Sequence, residues 1–297
     1  MANLHVALVS RTYYYVPYWA AQRQRFFADE GLEVTGEILD STGKVNLGLK
    51  DGSYQIGIGT PEGVVADVEN GPGDLVIVAG NADKLTHVLI ALPRYQRIED
   101  LRGARIGVAS LNEGTAFVVQ EMLRPHGLSH PHDYDLVNAG GVPSRWRKLR
   151  EGGIDAGLQS IPISYAAEDA GFPNLGDSTD YVPDYQFTTV NVHRQWAEQH
   201  QAELTAALRA LRRGTEWMYD NREAAIDVIV EELDVGRAHA TRGWEHYVSK
   251  CVLPRDMRVS EPGMRAVLGI MSRAGTLRDQ DPMDPDRYVD RSFLGDL

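Results

Sequence analysis

Four polar clusters in this 297-residue chain carry side chains suited to binding or transforming a small molecule. The first is Arg11-Thr12-Tyr13-Tyr14-Tyr15. Arg11 could clamp a carboxylate or sulfonate with two parallel hydrogen bonds. Tyr13, Tyr14 and Tyr15 could stack on a ring and offer hydroxyls. The plainer alternative has Arg11 bridging to an acidic neighbour and the tyrosines packing at an edge of the fold. The second cluster is Thr60-Pro61-Glu62-Gly63. Glu62 could accept from an amine or hydroxyl, or act as a general base; equally, it could be an acid favoured in a helix first turn.

The third cluster is Ser110-Leu111-Asn112-Glu113-Gly114-Thr115. It reads as the entry to a helix, where backbone N–H groups attract an anion. Asn112 and Thr115 add donors, while Ser110 or Asn112 could simply cap the helix. Glu113 could pair with an arginine and hold a closed form. The fourth group is Gln159, Ser160 and Tyr165. One of Arg145 and Arg147 could enter the cleft, though a solvated helix face is the plainer expectation, and His87 is expected as a satisfied core or hinge histidine.

The elements that position these clusters come as a repeat. His5–Ser10 and Arg105–Ser110 both read as buried strands ending in serine. Each leads into an amphipathic helix, expected at Pro17–Glu30 and Thr115–His126, with glycine just beyond its end. Second strands follow at Glu33–Leu39 and Tyr134–Asn138, then short helices ending at Gly52 and Gly152. GSYQIGIGTP (Gly52–Pro61) aligns with GGIDAGLQSI (Gly152–Ile161), so Gly57 matches Gly157 and Thr60 matches Ser160.

Each unit is therefore β-α-β-α-β, which right-handed crossovers turn into a mostly parallel sheet flanked by helices. Ligands of open α/β sheets bind beyond the carboxyl ends of the strands. Six loops lie there: 10–18, 40–44, 59–63, 110–116, 139–145 and 159–165. Thr86–Pro93 and Gln186–His193 read as extended crossovers. The expected division is 1–89 plus 190–297 as one lobe and 90–189 as the other. Helices are expected over about 198–219, 223–232, 237–251 and 261–274, with Asn221 and Ser260 as N-caps for two of them. The tail from Asp284 is expected to pack on the first lobe.

Composition narrows the function. The net charge of −12 argues against a nucleic-acid partner, which needs a basic face, but leaves a local cationic pocket possible. A single cysteine excludes an internal disulfide and a cysteine-rich zinc site. No metal and no cofactor is expected; GIGTPEG has the wrong spacing and place for a dinucleotide fingerprint. No run approaches the roughly 20 apolar residues of a membrane span, so membrane insertion is not expected. The start MANLHVALVSR lacks the pattern of an export signal. The expected location is cytoplasmic as the sequence stands, or periplasmic or extracellular if a leader has been removed.

YWAAQRQRFFADEGLEV, GSYQIGIGTPEGVV, IEDLRGARIGVASLNEGTAFVVQEML and GGIDAGLQ resemble the solute-binding proteins for sulfonate, nitrate and thiamine-precursor compounds. Thiamine-pyrimidine synthases share that fold. The resemblance implies a two-lobed α/β protein of the type II periplasmic-binding-protein kind. It also implies capture of a small molecule between the lobes and an ABC permease as partner. The synthase's cysteine-rich run is absent here, as is the cysteine that a related desulfinase carries in its first loop. The leading expectation is a non-catalytic receptor for an aromatic or carboxylate- or sulfonate-bearing compound. The rival is a cytoplasmic decarboxylase, lyase or hydrolase using Glu62 and Glu113 as acid and base. A cytosolic sensor or carrier is a third reading.

Overall fold

In a computed structural model of the chain, residues 1–112, 114–277 and 284–295 are described. The strands are β1 (Ala2–Leu8), β2 (Leu32–Ile38), β3 (Ile56–Gly59), β4 (Leu75–Ala82) and β5 (His87–Ala91), followed by β6 (Arg105–Val108), β7 (Asp135–Asn138), β8 (Ala156–Ser160), β9 (Asn174–Asp177) and β10 (Thr188–His193). They form two five-stranded sheets, ordered β2-β1-β3-β10-β4 and β7-β6-β8-β5-β9. In each sheet the first three strands run parallel and the fourth runs antiparallel. The fold is thus a two-lobed α/β architecture of two mixed sheets flanked by helices.

The repeat holds at the level of register. Val6 sits beside Gly36 and Ile56; Ile106 sits beside Leu136 and Ala156. Ala7 pairs with Gly57 and Gly107 with Gly157. A strand slip of one residue would turn every side chain to the other face, so matching registers mean matching faces.

The chain crosses between sheets twice, and each crossing delivers the antiparallel strand. β5 lies whole in the second sheet and β10 whole in the first. The exchange points expected at 89/90 and 189/190 fall inside these two strands.

Helices follow the expected punctuation with local differences. The first helix spans Val16–Arg23, breaks at Arg25 in a left-handed conformation, and resumes as Phe26–Asp29 before Gly31. Its partner spans Thr115–Leu123, tightens to 3-10 over Arg124–His126, and stops at Gly127. The long helix Gln201–Asp220 packs on Val16–Arg23. Gly214 permits this, because a Cβ there would lie 2.1 Å from the Pro17 carbonyl oxygen. Ser260 caps Glu261–Arg273 by accepting the Gly263 N–H at 3.1 Å. Asn221 makes no such cap; its amide donates back to the Trp217 carbonyl. The tail packs on the first sheet through Tyr288, fully buried, and the backbone bonds around Ile77. No helix among the described residues is long and apolar enough to cross a membrane.

Candidate functional site

A cavity lies between the two sheets, at the carboxyl ends of their strands. Its wall repeats the offset: Val9 and Ala109, Ser10 and Ser110, Tyr14 and Gly114, Tyr15 and Thr115, Thr42 and Val142 all line it. Five of the six expected loops contribute. Thr12, Thr60, Gly141, Arg145 and, from the crossovers, His87, Phe187 and Thr188 complete the lining.

Of the residues singled out in the sequence, Tyr14, Tyr15, Thr60, Ser110 and Thr115 line this cavity. The tyrosines present rings but not free hydroxyls. The Tyr15 hydroxyl donates to the Ile58 carbonyl and accepts the Val9 N–H. The Tyr14 hydroxyl accepts the Thr86 N–H at 2.9 Å and lies 3.3 Å from His87 Nδ1. Burial raises its pKa to about 12. By contrast, the Thr42 and Thr60 hydroxyls are buried with no hydrogen-bond partner among the described residues. Such groups are costly unless something completes them.

Other expectations are corrected. Arg11 turns away from the cavity, half-exposed, and pairs with the Glu232 carboxylate at 2.9 Å. Tyr13 stacks on Tyr247 with ring centroids 3.7 Å apart. Asn112 is exposed and outside the lining. Gln159 and Ser160 are fully buried in β8, and the Tyr165 ring lies under the Arg242 guanidinium. One element explains two of these, Tyr13 and Tyr165. Helix Arg237–Ser249 carries Arg242, Gly243 and Tyr247, and it covers the loop after β8, with Gly243 against Pro162. Its amphipathic pattern was legible, but nothing in its sequence said which loop it would cover.

Glu62 does not line the cavity. It is fully buried, and its Oε1 accepts the Gly114 N–H at 3.0 Å and the Tyr185 hydroxyl. Glu113 lies outside the described residues. The expected acid–base pair thus has its one described member committed to a helix start. The same contact takes the Gly114 N–H at this helix start.

The residues that sequence reasoning undervalued are Arg145 and His87. Arg145 is only 1% exposed, although it sits on helix Val142–Arg150 among other basic residues. Its Nε and Nη2 donate to the Leu158 carbonyl and its Nη1 to the Gly140 carbonyl. It forms no ion pair with a carboxylate among the described residues. Burial lowers its pKa to about 10, with Asp40 opposing, so it is charged at neutral pH. The repeat held the signal: its counterpart is Val45, a plain core position with no exposure. Gly107 and Gly157 make the room, since a Cβ on either would come within 3.2 Å of the arginine stem. His87 is held neutral by burial, and the nearby guanidinium pushes the same way.

Two parallel-stranded units around a cleft at their strand ends define the periplasmic-binding-protein architecture. The chain belongs to the NMT1/THI5-like family, matched over residues 12–225. Solved structures agree on the fold. A protein from Bordetella bronchiseptica RB50 superposes with TM-score 0.83 at 20% identity, covering 99% of this chain and 96% of its own. The ligand-binding component of an ABC-type import system from Staphylococcus aureus gives 0.78 at 12%, covering 100% and 99%. The alkanesulfonate-binding protein SsuA from Xanthomonas axonopodis pv. citri gives 0.70 at 14%, covering 88% and 98%. No curated protein matches the sequence.

Proposed function

We propose that this chain is a receptor that closes its two lobes, about 1–86 plus 187–297 and 87–186, around a small organic acid. One observation carries the reading: Arg145 brings a buried guanidinium to the cavity wall, hydrogen-bonded among the described residues to backbone carbonyls alone. A buried charge is costly unless paired, and an anion in the cavity would pair it. The Thr42 and Thr60 hydroxyls would complete the polar end. Val9, Tyr14, Tyr15, Val142 and Phe187 supply an apolar body site. Among the described residues no carboxylate lines the cavity. Few polar groups fixed in an apolar wall are the usual means of orienting a small ligand.

The S. aureus neighbour's role in an import system and the Xanthomonas neighbour's alkanesulfonate support a further reading. The chain would deliver its acid to an ABC permease, working in the periplasm or at the cell exterior. Native mass spectrometry of freshly purified protein tests the ligand class. We expect a released compound that ionises as a monoanion, carboxylate or sulfonate, on a ring or aliphatic body. A neutral sugar, an amine or a metal as the bound species would overturn the reading.

A further inference from the structure

We propose that Asp40 and Glu62 form a latch: two carboxylates of the first unit that cap two helices of the second and hold the closed cleft together. A helix start leaves its first N–H groups without partners and carries partial positive charge. Helices Thr115–Leu123 and Val142–Arg150 begin after Gly114 and Gly141, and neither has a side-chain cap of its own. Both caps come from across the cleft. Glu62 Oε1 accepts the Gly114 N–H at 3.0 Å. Asp40 Oδ1 accepts the Gly141 N–H at 2.7 Å, and its Oδ2 accepts the Ser144 hydroxyl at 2.7 Å. Beside it the Ser10 hydroxyl accepts the Val142 N–H at 3.0 Å.

These contacts need bare glycine. A Cβ on Gly141 would lie 2.4 Å from Ser10 Oγ and 2.5 Å from Asp40 Oδ1; one on Gly140 would lie 2.7 Å from Asp40 Oδ2. The carboxylate approach depends on the lobes being together, because donor and acceptor belong to different sheets. Opening the cleft breaks all of these bonds at once and leaves both sheets intact. In the closed cleft the Gly114 and Gly141 N–H groups are therefore taken by the protein's own carboxylates.

The test reads amide hydrogen exchange by NMR on the full chain, dialysed and without added ligand, alongside the radius of gyration from solution scattering. In Asp40→Ala/Glu62→Ala we expect Gly114, Gly141 and Val142 to exchange at least about tenfold faster, as local opening predicts. Ile58 and Leu158, in the two sheets, should keep their protection, and the radius of gyration should rise. Asp40→Asn, which keeps an acceptor oxygen, should retain most of the protection at Gly141. Gly141→Val, a wedge at the same contact, should reproduce the opening independently if the double variant folds poorly. Unchanged protection in the double and wedge variants, or acceleration spread evenly over both sheets, would overturn the latch.

Discussion

The two repeats share registers, turns and cavity positions, yet they treat equivalent residues in opposite ways. At position 45 the first unit buries valine against Gly57; at 145 the second buries arginine against Gly157. Asp40 and Gly140 both turn the chain through a left-handed conformation. Ser41 then caps its own helix by accepting the Lys44 N–H, whereas Gly141 has no side chain and its N–H is taken by Asp40. At this pair of helices the first unit caps its own start, while the second buries a charge and takes its cap from across the cleft. Symmetry of the backbone thus supplies the cavity, and its asymmetry supplies polarity and closure.

The comparison can be broken most forcefully by moving the charge. Val45→Arg puts a guanidinium into a site built for valine. It should lower the unfolding free energy by about 3–5 kcal/mol, the scale of an unpaired buried charge. Urea unfolding checks it, and a loss under about 1 kcal/mol would mean the two sites are equivalent. Next come the matched glycines. Gly57→Ala and Gly157→Ala should each cost about 1–3 kcal/mol through overpacking. Gly57 should cost more, because its new Cβ meets the stiff Val45 at 2.7 Å, while at Gly157 it meets the longer Arg145 stem at 3.0 Å.

Caps give a smaller contrast. Ser41→Ala should cost about 1 kcal/mol, the usual worth of an N-cap. Asp40→Ala should cost less than that in global unfolding, because its bonds are already broken in the open, still folded, protein. A pH-dependent contrast lies in the helix Arg237–Ser249, which packs on the loop after β8. Burial, then Lys250 and Arg242, hold the His246 pKa down at about 4, against the opposing pull of Asp177. The unfolded chain then takes up the proton more readily, so stability is lost as pH falls from about 6.5 toward about 4. His246→Gln should flatten that slope; an unchanged slope would show that His246 does not contribute.

Much of this was legible in sequence. The offset between HVALVS and RIGVAS gave both sheets, and strand-end position gave Tyr14, Tyr15, Thr60, Ser110 and Thr115 as cavity residues. Arg11 was misplaced because strand-end position fixes a backbone, not the direction of a long side chain with an acid nearby. Arg145 was misplaced because its helix is rich in basic residues, and composition outweighed the comparison with Val45. Contacts that join distant segments, such as Glu62 with Gly114 or Tyr13 with Tyr247, leave no local pattern to read.

The central claim is that Arg145 makes the cavity selective for an anion. Calorimetric titration with benzoate and its neutral isostere benzamide, in wild type and in Arg145→Val, tests it most directly. Valine copies the residue at position 45, so the fold should survive, and replacing a buried charge by an apolar side chain is often neutral or stabilising. Wild type should prefer benzoate by about 10–100-fold, the range of a charge-assisted hydrogen bond, and the variant should bind both compounds alike. Equal binding of the two by wild type, or a benzoate preference that persists in Arg145→Val, would contradict the account.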